Sequence, residues 1–254
     1  MVILKYIKKL WGNDMIKENY LGVDVCALNM EEVLDEVDNI ILQKKPSFIV
    51  AINPEKIMKA QKDENLRNLL NSASIQIPDG VGVVIASILN GGRIRSRVTG
   101  IDLMINICER ASKKGYKVYI LGAKPGVAEK AAKVLKNKFL GLNIVGIKDG
   151  YFKDEEEVIN DIKEKSPDIL FVAMGSPKQE YWITRNMEKL NVPLLMGIGG
   201  SLDVISGNIK RAPKLMRNLG LEWLYRLIKE PWRYKRMAVL PVFLCKVLKE
   251  RFVR

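Results

Sequence analysis

The chain has 254 residues, 48% hydrophobic and 28% charged, enough to bury a full core and too apolar to be disordered. It has no histidine, which excludes Ser-His-Asp and Cys-His nucleophiles and imidazole metal sites, and its three scattered cysteines argue for a reducing compartment. The net charge of +13 is uneven: residues from Lys210 onward hold 13 Lys/Arg against 3 Asp/Glu, a net of +10, which leaves +3 for everything before.

Met1 to Trp11 interleaves Lys5, Lys8 and Lys9 with apolar residues. It is too short to span a bilayer and lacks the small-residue cleavage site of a signal peptide. Residues 1–14 read as a basic amphipathic leader, either an interfacial helix or disordered. Leu21 to Leu28 is strand-like, and Met30 to Leu42 is helical with an acidic polar face. Phe48 to Ile52 reads as a buried strand ending in Asn53-Pro54-Glu55. Asn53 fits a helix N-cap and Pro54 a first helical position, with one helix running on to about Leu70.

Ile75 and Ile77 mark a short strand broken by Pro78 and Gly80, and Val81 to Leu89 reads as an apolar helix. Asp79 therefore stands at the carboxyl end of a strand, the edge where open α/β sheets bind ligands. Spacing alone leaves a second reading open, in which Asp79 only caps the helix. Asn53 and Asp79 close two successive strands and should share one sheet edge.

Arg93, Arg95 and Arg97 alternate, a pattern that suits a diphosphate but equally a solvated loop. Thr99 followed by Asp102 is a capping box for a helix over Ile101 to Lys113. Lys117 to Leu121 is a strand that runs through Gly122 into an Ala/Lys-rich helix, an anion-receptive turn without the G-x-G-x-x-G dinucleotide fingerprint. Asn143 to Ile147 is a strand and Asp154 to Lys165 a helix. Asp168 to Met174 is a strand leading into Gly175-Ser176-Pro177-Lys178-Gln179-Glu180. Pro193 to Met196 is the last core strand, ending in Gly197-Ile198-Gly199-Gly200-Ser201. About seven strands alternating with helices predict an α/β fold: a Rossmann-like, mainly parallel sheet flanked by helices, with a basic helical C-terminal appendage. The core is expected over residues 15–208 and the appendage over 209–254.

In the tail, Leu215, Leu219, Trp223, Leu224, Leu227 and Ile228 fall at helical spacing, and Met237 to Leu248 is a second apolar run broken by Pro241. Arg226, Arg233 and Arg236 sit among Trp223, Tyr225, Trp232 and Tyr234, a mixture that suits a membrane interface. An ordinary amphipathic cap on the core is the plainer reading. RNA binding fits the charge but finds no recognised signature.

These ordered motifs, with Arg97-Val98-Thr99-Gly100, Arg211-Ala212-Pro213 and Gly220-Leu221-Glu222-Trp223-Leu224-Tyr225-Arg226, resemble the WecG/TagA/CpsF glycosyltransferases (glycosyltransferase family 26) from about Tyr20 to Arg236. Within that family the likeness is to the branch that builds the teichoic-acid linkage unit. The resemblance implies transfer of N-acetylmannosamine from UDP-ManNAc to the C4 hydroxyl of GlcNAc on undecaprenyl diphosphate, with inversion. It implies no cofactor and no essential metal, in keeping with the absence of Asp-x-Asp. It makes Asp79 the general base and assigns substrate binding to Asn53, Arg97, Thr99, Gly122, Lys178, Gln179, Glu180 and Gly199. Arg226, Arg233 and Arg236 belong to the basic appendage that meets the diphosphate. Ala51 stands where a hydroxyl residue is expected, and Leu215 where an aromatic is common. The implied partners are UDP-ManNAc, polyprenyl-diphosphate-linked GlcNAc and an anionic membrane on its cytoplasmic face, with no nucleic acid. Self-association of the core into a homo-oligomer is left open, as is transfer of another UDP-hexose (N-acetylmannosaminuronic acid or glucose).

Overall fold

The computed structural model describes residues 15–234 and 238–253, so the expected leader over residues 1–14, and Arg236, lie outside the described residues. The first described elements are β1 (Lys17–Tyr20) and β2 (Val23–Cys26), an antiparallel hairpin rather than one strand of the main sheet. Its two-residue turn puts both Leu21 (φ 53°) and Gly22 (φ 85°) in the left-handed region that such hairpins need. Glu18 on β1 clips the hairpin to the core by accepting from the backbone amides of Arg93 and Ile94 and from the Tyr20 hydroxyl.

Helix α1 (Met30–Gln43) starts in a capping box of Asn29 and Glu32. Strand β3 (Ser47–Ile52) leads into α2 (Pro54–Ala60), with Asn53 as N-cap and Pro54 in the first turn as expected. The single helix expected to Leu70 is two. The chain breaks at Gln61 and Lys62, and Asp63 caps a new helix, α3 (Glu64–Asn71), by accepting from Leu66 N at 3.0 Å. Then follow β4 (Ile75–Pro78), α4 (Val81–Leu89), α5 (Gly100–Lys114), β5 (Lys117–Gly122), α6 (Val127–Lys138), β6 (Asn143–Lys148), α7 (Glu155–Lys165), β7 (Ile169–Ala173), α8 (Lys178–Leu190), β8 (Leu194–Gly197) and α9 (Ser201–Ile205).

Six of the seven expected strands form one parallel sheet in the order β4-β3-β8-β7-β5-β6. Strand residues alternate between two apolar layers, the pattern of a sheet covered on both faces. Phe48, Val50 and Ile52 of β3 pack with Ile57 and Ala60 of α2, whereas Ile49 of β3 and Met196 of β8 pack with Leu202 of α9. Adjacent strands β3 and β8 thus send their following helices to opposite faces. A crevice opens between their carboxyl ends, the topological switch point of a Rossmann-like sheet.

The tail comprises α10 (Lys214–Asn218), α11 (Glu222–Lys229), a 3-10 turn (Pro231–Arg233) and α12 (Val239–Val253). The apolar run expected to break at Pro241 is one helix. Pro241 falls in its first turn, where no intrahelical amide bond is lost. Phe243 and Val247 of α12 are fully buried and belong to the layer containing α2 and α4, with Phe243 edge-on to Tyr20 at 6.4 Å between ring centroids. Gly82 of α4 makes room for this packing, because a Cβ there would fall 2.4 Å from Leu240 Cδ1 and 2.6 Å from Pro54 Cγ. The end of the basic tail is therefore part of the core. Phe243→Ala is expected to cost about 3–5 kcal/mol of folding stability, read as a lower urea midpoint; an unchanged midpoint would mean that α12 rides on the surface.

Candidate active site at the switch point

A cleft of about 470 Å³ lies beyond the carboxyl ends of β3, β4, β7 and β8. Of the residues expected to form the site, Asn53, Asp79, Thr99, Gln179, Gly199 and Arg226 line it. Arg97, Gly122, Lys178 and Glu180 are not among its lining residues. Arg233 closes the 3-10 turn.

Asp79 is held by the sheet edge. Its amide donates to Ile52 O at 2.8 Å, and Val98 N donates to Pro78 O at 3.0 Å, so the segment before α5 runs beside β4. Burial pushes the Asp79 carboxyl above its ordinary value of 3.8; Lys56 and then Arg226 draw it back, Glu222 raises it, and Arg97 lowers it. Desolvation wins, and the carboxyl stands above its ordinary value. No side-chain cap bond starts α4, so the plain capping role is not what Asp79 performs.

Asn53 Oδ1 accepts from Lys56 N at 2.9 Å, which turns the start of α2 into the cleft. That turn also delivers Lys56, a lining residue that the sequence reading missed. Lys56 Nζ lies 2.8 Å from Glu180 Oε1 in a pair whose side chains are 8% and 2% exposed. Gln179 Nε2 donates to the same Glu180 oxygen at 3.0 Å, and Gln179 Oε1 accepts from Gly199 N at 2.9 Å. One polar chain thus ties α2, α8 and the loop after β8 beneath the cleft. Glu180 serves as its buried anchor rather than as a lining group. Gly197 is required here, because a Cβ would sit 2.5 Å from Gln179 Nε2.

The other residues have structural explanations. Gly122 has φ 116°, its Cβ would fall 2.4 Å from Ala173 O, and the next amide, Ala123 N, donates to that same carbonyl at 2.7 Å. The turn's amide is thus spent on β7. Lys178 is exposed at the start of α8. Of the alternating arginines, Arg93 and Arg95 are exposed, and Arg97 Nη2 donates to Arg217 O at 2.5 Å, tying the loop to α10. Thr99 caps α5 as expected, accepting from Asp102 N at 3.2 Å. The Asp102 carboxylate, however, does not complete a capping box. It accepts the Thr99 hydroxyl at 2.6 Å and a bidentate pair from Arg211 at 2.7 Å each. Burial raises its carboxyl, but the Arg211 and Thr99 hydrogen bonds outweigh this and hold it below the ordinary range.

The cleft lining combines charged side chains, Asp79, Lys56, Glu55, Lys59, Glu222, Arg226 and Glu230, with apolar Ile101, Val204 and Ile209. Ala51 lies on its wall. Among the described residues no group of three or more Cys, Asp or Glu is arranged to hold a metal ion, and no helix is long and apolar enough to cross a membrane.

A cleft at the switch point, lined by the carboxylate of Asp79 and by Lys56 and Arg226 among other charged groups, lies where open α/β sheets bind their ligands. The model of the WecG/TagA/CpsF glycosyl transferase family matches residues 18–254, and the chain belongs to that family. It is 40% identical over 207 residues to an N-acetylglucosaminyldiphosphoundecaprenol N-acetyl-beta-D-mannosaminyltransferase of Bacillus spizizenii strain W23, covering 82% of this chain and 80% of the relative. It is 38% identical over 237 residues to the protein of the same name from Bacillus subtilis strain 168, covering 93% of each.

Because its folded-state carboxyl is raised, Asp79 costs stability whenever the unfolded chain would ionise it more readily. Asp79→Asn is expected to melt at the same or a higher temperature at pH 7, with the gain fading as pH falls toward the ordinary value of 3.8 and absent below it. A lower melting temperature at pH 7 would mean that the carboxylate is a structural ion.

Proposed function

We propose that the protein transfers N-acetylmannosamine from UDP-ManNAc to the C4 hydroxyl of GlcNAc carried on undecaprenyl diphosphate. The reading rests on one observation above the others: Asp79, its carboxyl raised by burial, lines a cleft together with Lys56 and Arg226 in a chain of a glycosyltransferase family. The names of two relatives supply the sugar and the acceptor.

The step is a single displacement. The acceptor oxygen forms a bond to the anomeric carbon as the bond from that carbon to the UDP oxygen breaks, which inverts the centre. Asp79 takes the hydroxyl proton, and UDP leaves with the bonding electron pair. A positioned base is worth roughly 10²–10⁴-fold in rate. Charge developing on the leaving diphosphate is met by Arg226 and Lys56, with Arg233 and Arg236 as further cations of the same segment. The apolar lining residues Ile101, Val204 and Ile209 suit the nucleobase.

A lipid-bound acceptor also accounts for the tail surface. Leu215, Leu219, Ile228, Trp232 and Tyr234 are 59–72% exposed and interspersed with exposed Lys214, Arg226 and Lys229. Apolar and aromatic side chains with cations between them suit the interface of an anionic leaflet, with the core on the aqueous side. The protein is then peripheral, and the tail both docks and supplies cations to the cleft.

Two experiments test this reading. Asp79→Asn is expected to lower turnover of UDP-ManNAc with a lipid-diphosphate-GlcNAc acceptor by about 10²-fold or more while UDP affinity stays within a few-fold; full turnover would remove Asp79 as the base. The pair Leu219→Ser/Trp232→Ser is expected to reduce sedimentation with phosphatidylglycerol vesicles about tenfold or more at unchanged melting temperature. Undiminished binding would remove this face from the membrane contact.

A further inference from the structure

Helix α11 carries Trp223, Leu224, Leu227 and Ile228, yet the one residue that it buries is Glu222, at 8% exposure. Apolar packing gives no reason to bury a carboxylate while Leu224 and Leu227 are only half-buried and Ile228 is exposed; charge pairing does. Its partners are two guanidinium groups, Arg211 Nε and Arg226 Nη2, each 3.4 Å from the same oxygen, Glu222 Oε1. Arg211 is itself fixed. Both its terminal nitrogens fork onto Asp102 at 2.7 Å, and Asp102 holds the hydroxyl of the cleft residue Thr99. Burial lowers the Arg211 guanidinium, but Asp102 and Glu222 outweigh it and hold it charged.

We infer that Glu222 is a positioning residue for the transfer reaction: anchored through Arg211 and Asp102 to the start of α5, it sets the Arg226 guanidinium at the mouth of the cleft. This rests on the reading of the cleft as a nucleoside-diphosphate site. Glu222 is no anion ligand itself, since a carboxylate repels a diphosphate. Its effect runs through Arg226, which is four residues on, one turn away on the same helix face, and lines the cleft. The arrangement orders a long arginine side chain before substrate arrives, so that less rotamer entropy is lost on binding. A second consequence concerns Asp79, whose carboxyl Glu222 pushes upward. Removing that negative charge makes Asp79 easier to ionise.

The test is a double-mutant cycle read in UDP affinity by calorimetry, with the full chain. Glu222→Gln is expected to weaken UDP binding about tenfold in the unaltered background and less than about twofold in an Arg226→Ala background. The acid limb of its kcat/KM profile should move to lower pH. A tenfold loss that persists in Arg226→Ala would overturn the inference, as would no loss at all with an unmoved acid limb. UDP binding by the unaltered chain keeps the two readings apart. If that chain binds no UDP, the nucleotide reading falls and the inference with it; if it binds and the cycle is additive, the inference alone falls. Should Glu222→Gln not fold, Glu222→Asp keeps the charge for Arg211 while shortening the reach. Its loss should again vanish in Arg226→Ala, and a loss that stays would count against the inference.

Discussion

A carboxylate that must work as a base has to be desolvated enough to hold a proton and still charged enough to take one. On the proposed function these two demands meet at Asp79, and much of the surrounding chain answers them. Burial at the edge of β4 raises the carboxyl; Lys56 from α2, Arg226 from α11 and Arg97 from the loop before α5 oppose it. Without those cations the carboxyl would be raised further. Three separate segments must therefore converge on one strand end, and the sheet order makes that convergence feasible. With β3 beside β8 and their helices leaving to opposite faces, the strand ends stay open and the loops meet there.

The cations must themselves be held, and the structure holds them by burying counter-ions rather than by leaving them in water. Lys56 is fixed by Glu180, which is fixed in turn by Gln179 and, through it, by Gly199. Arg226 is fixed by Glu222 and Arg211 onto Asp102. Each chain of contacts joins a cleft cation to a different segment beside the sheet, the first to α8 and the loop after β8, the second to α5. The second does more, because it connects the basic tail to the start of α5. Together with α12, whose Phe243 and Val247 lie in the core, it makes the tail continuous with the catalytic domain. A tail that also carries exposed Leu219 and Trp232 can then report on a surface and serve the cleft with the same few residues.

Local signals were readable in the sequence wherever a local rule governs. Asn53 and Pro54 opened a helix, short apolar runs marked all six strands of the sheet, and proline and glycine after Ile77 left Asp79 at a strand end. The hairpin escaped notice because its turn begins with Leu21 in a left-handed conformation, a residue that rarely signals one. The break between α2 and α3 was signalled only by Asp63, hidden in a run of helix-forming residues. The polar partners of the site were beyond local reading. Lys56 and Glu180 are 124 positions apart, and Arg211 and Asp102 are 109 apart. A glycine turn after β5 looked receptive to anions because sequence shows amides without showing that Ala173 already accepts the one that matters.

The measurement that bears most directly on this account is the pH dependence of kcat/KM for UDP release from UDP-ManNAc with a lipid-diphosphate-GlcNAc acceptor. The account predicts an acid limb set by one group titrating above the ordinary carboxylate value of 3.8, and a limb missing from the residual activity of Asp79→Asn. The same acid limb in that variant would contradict it, because the titrating base would then be another residue.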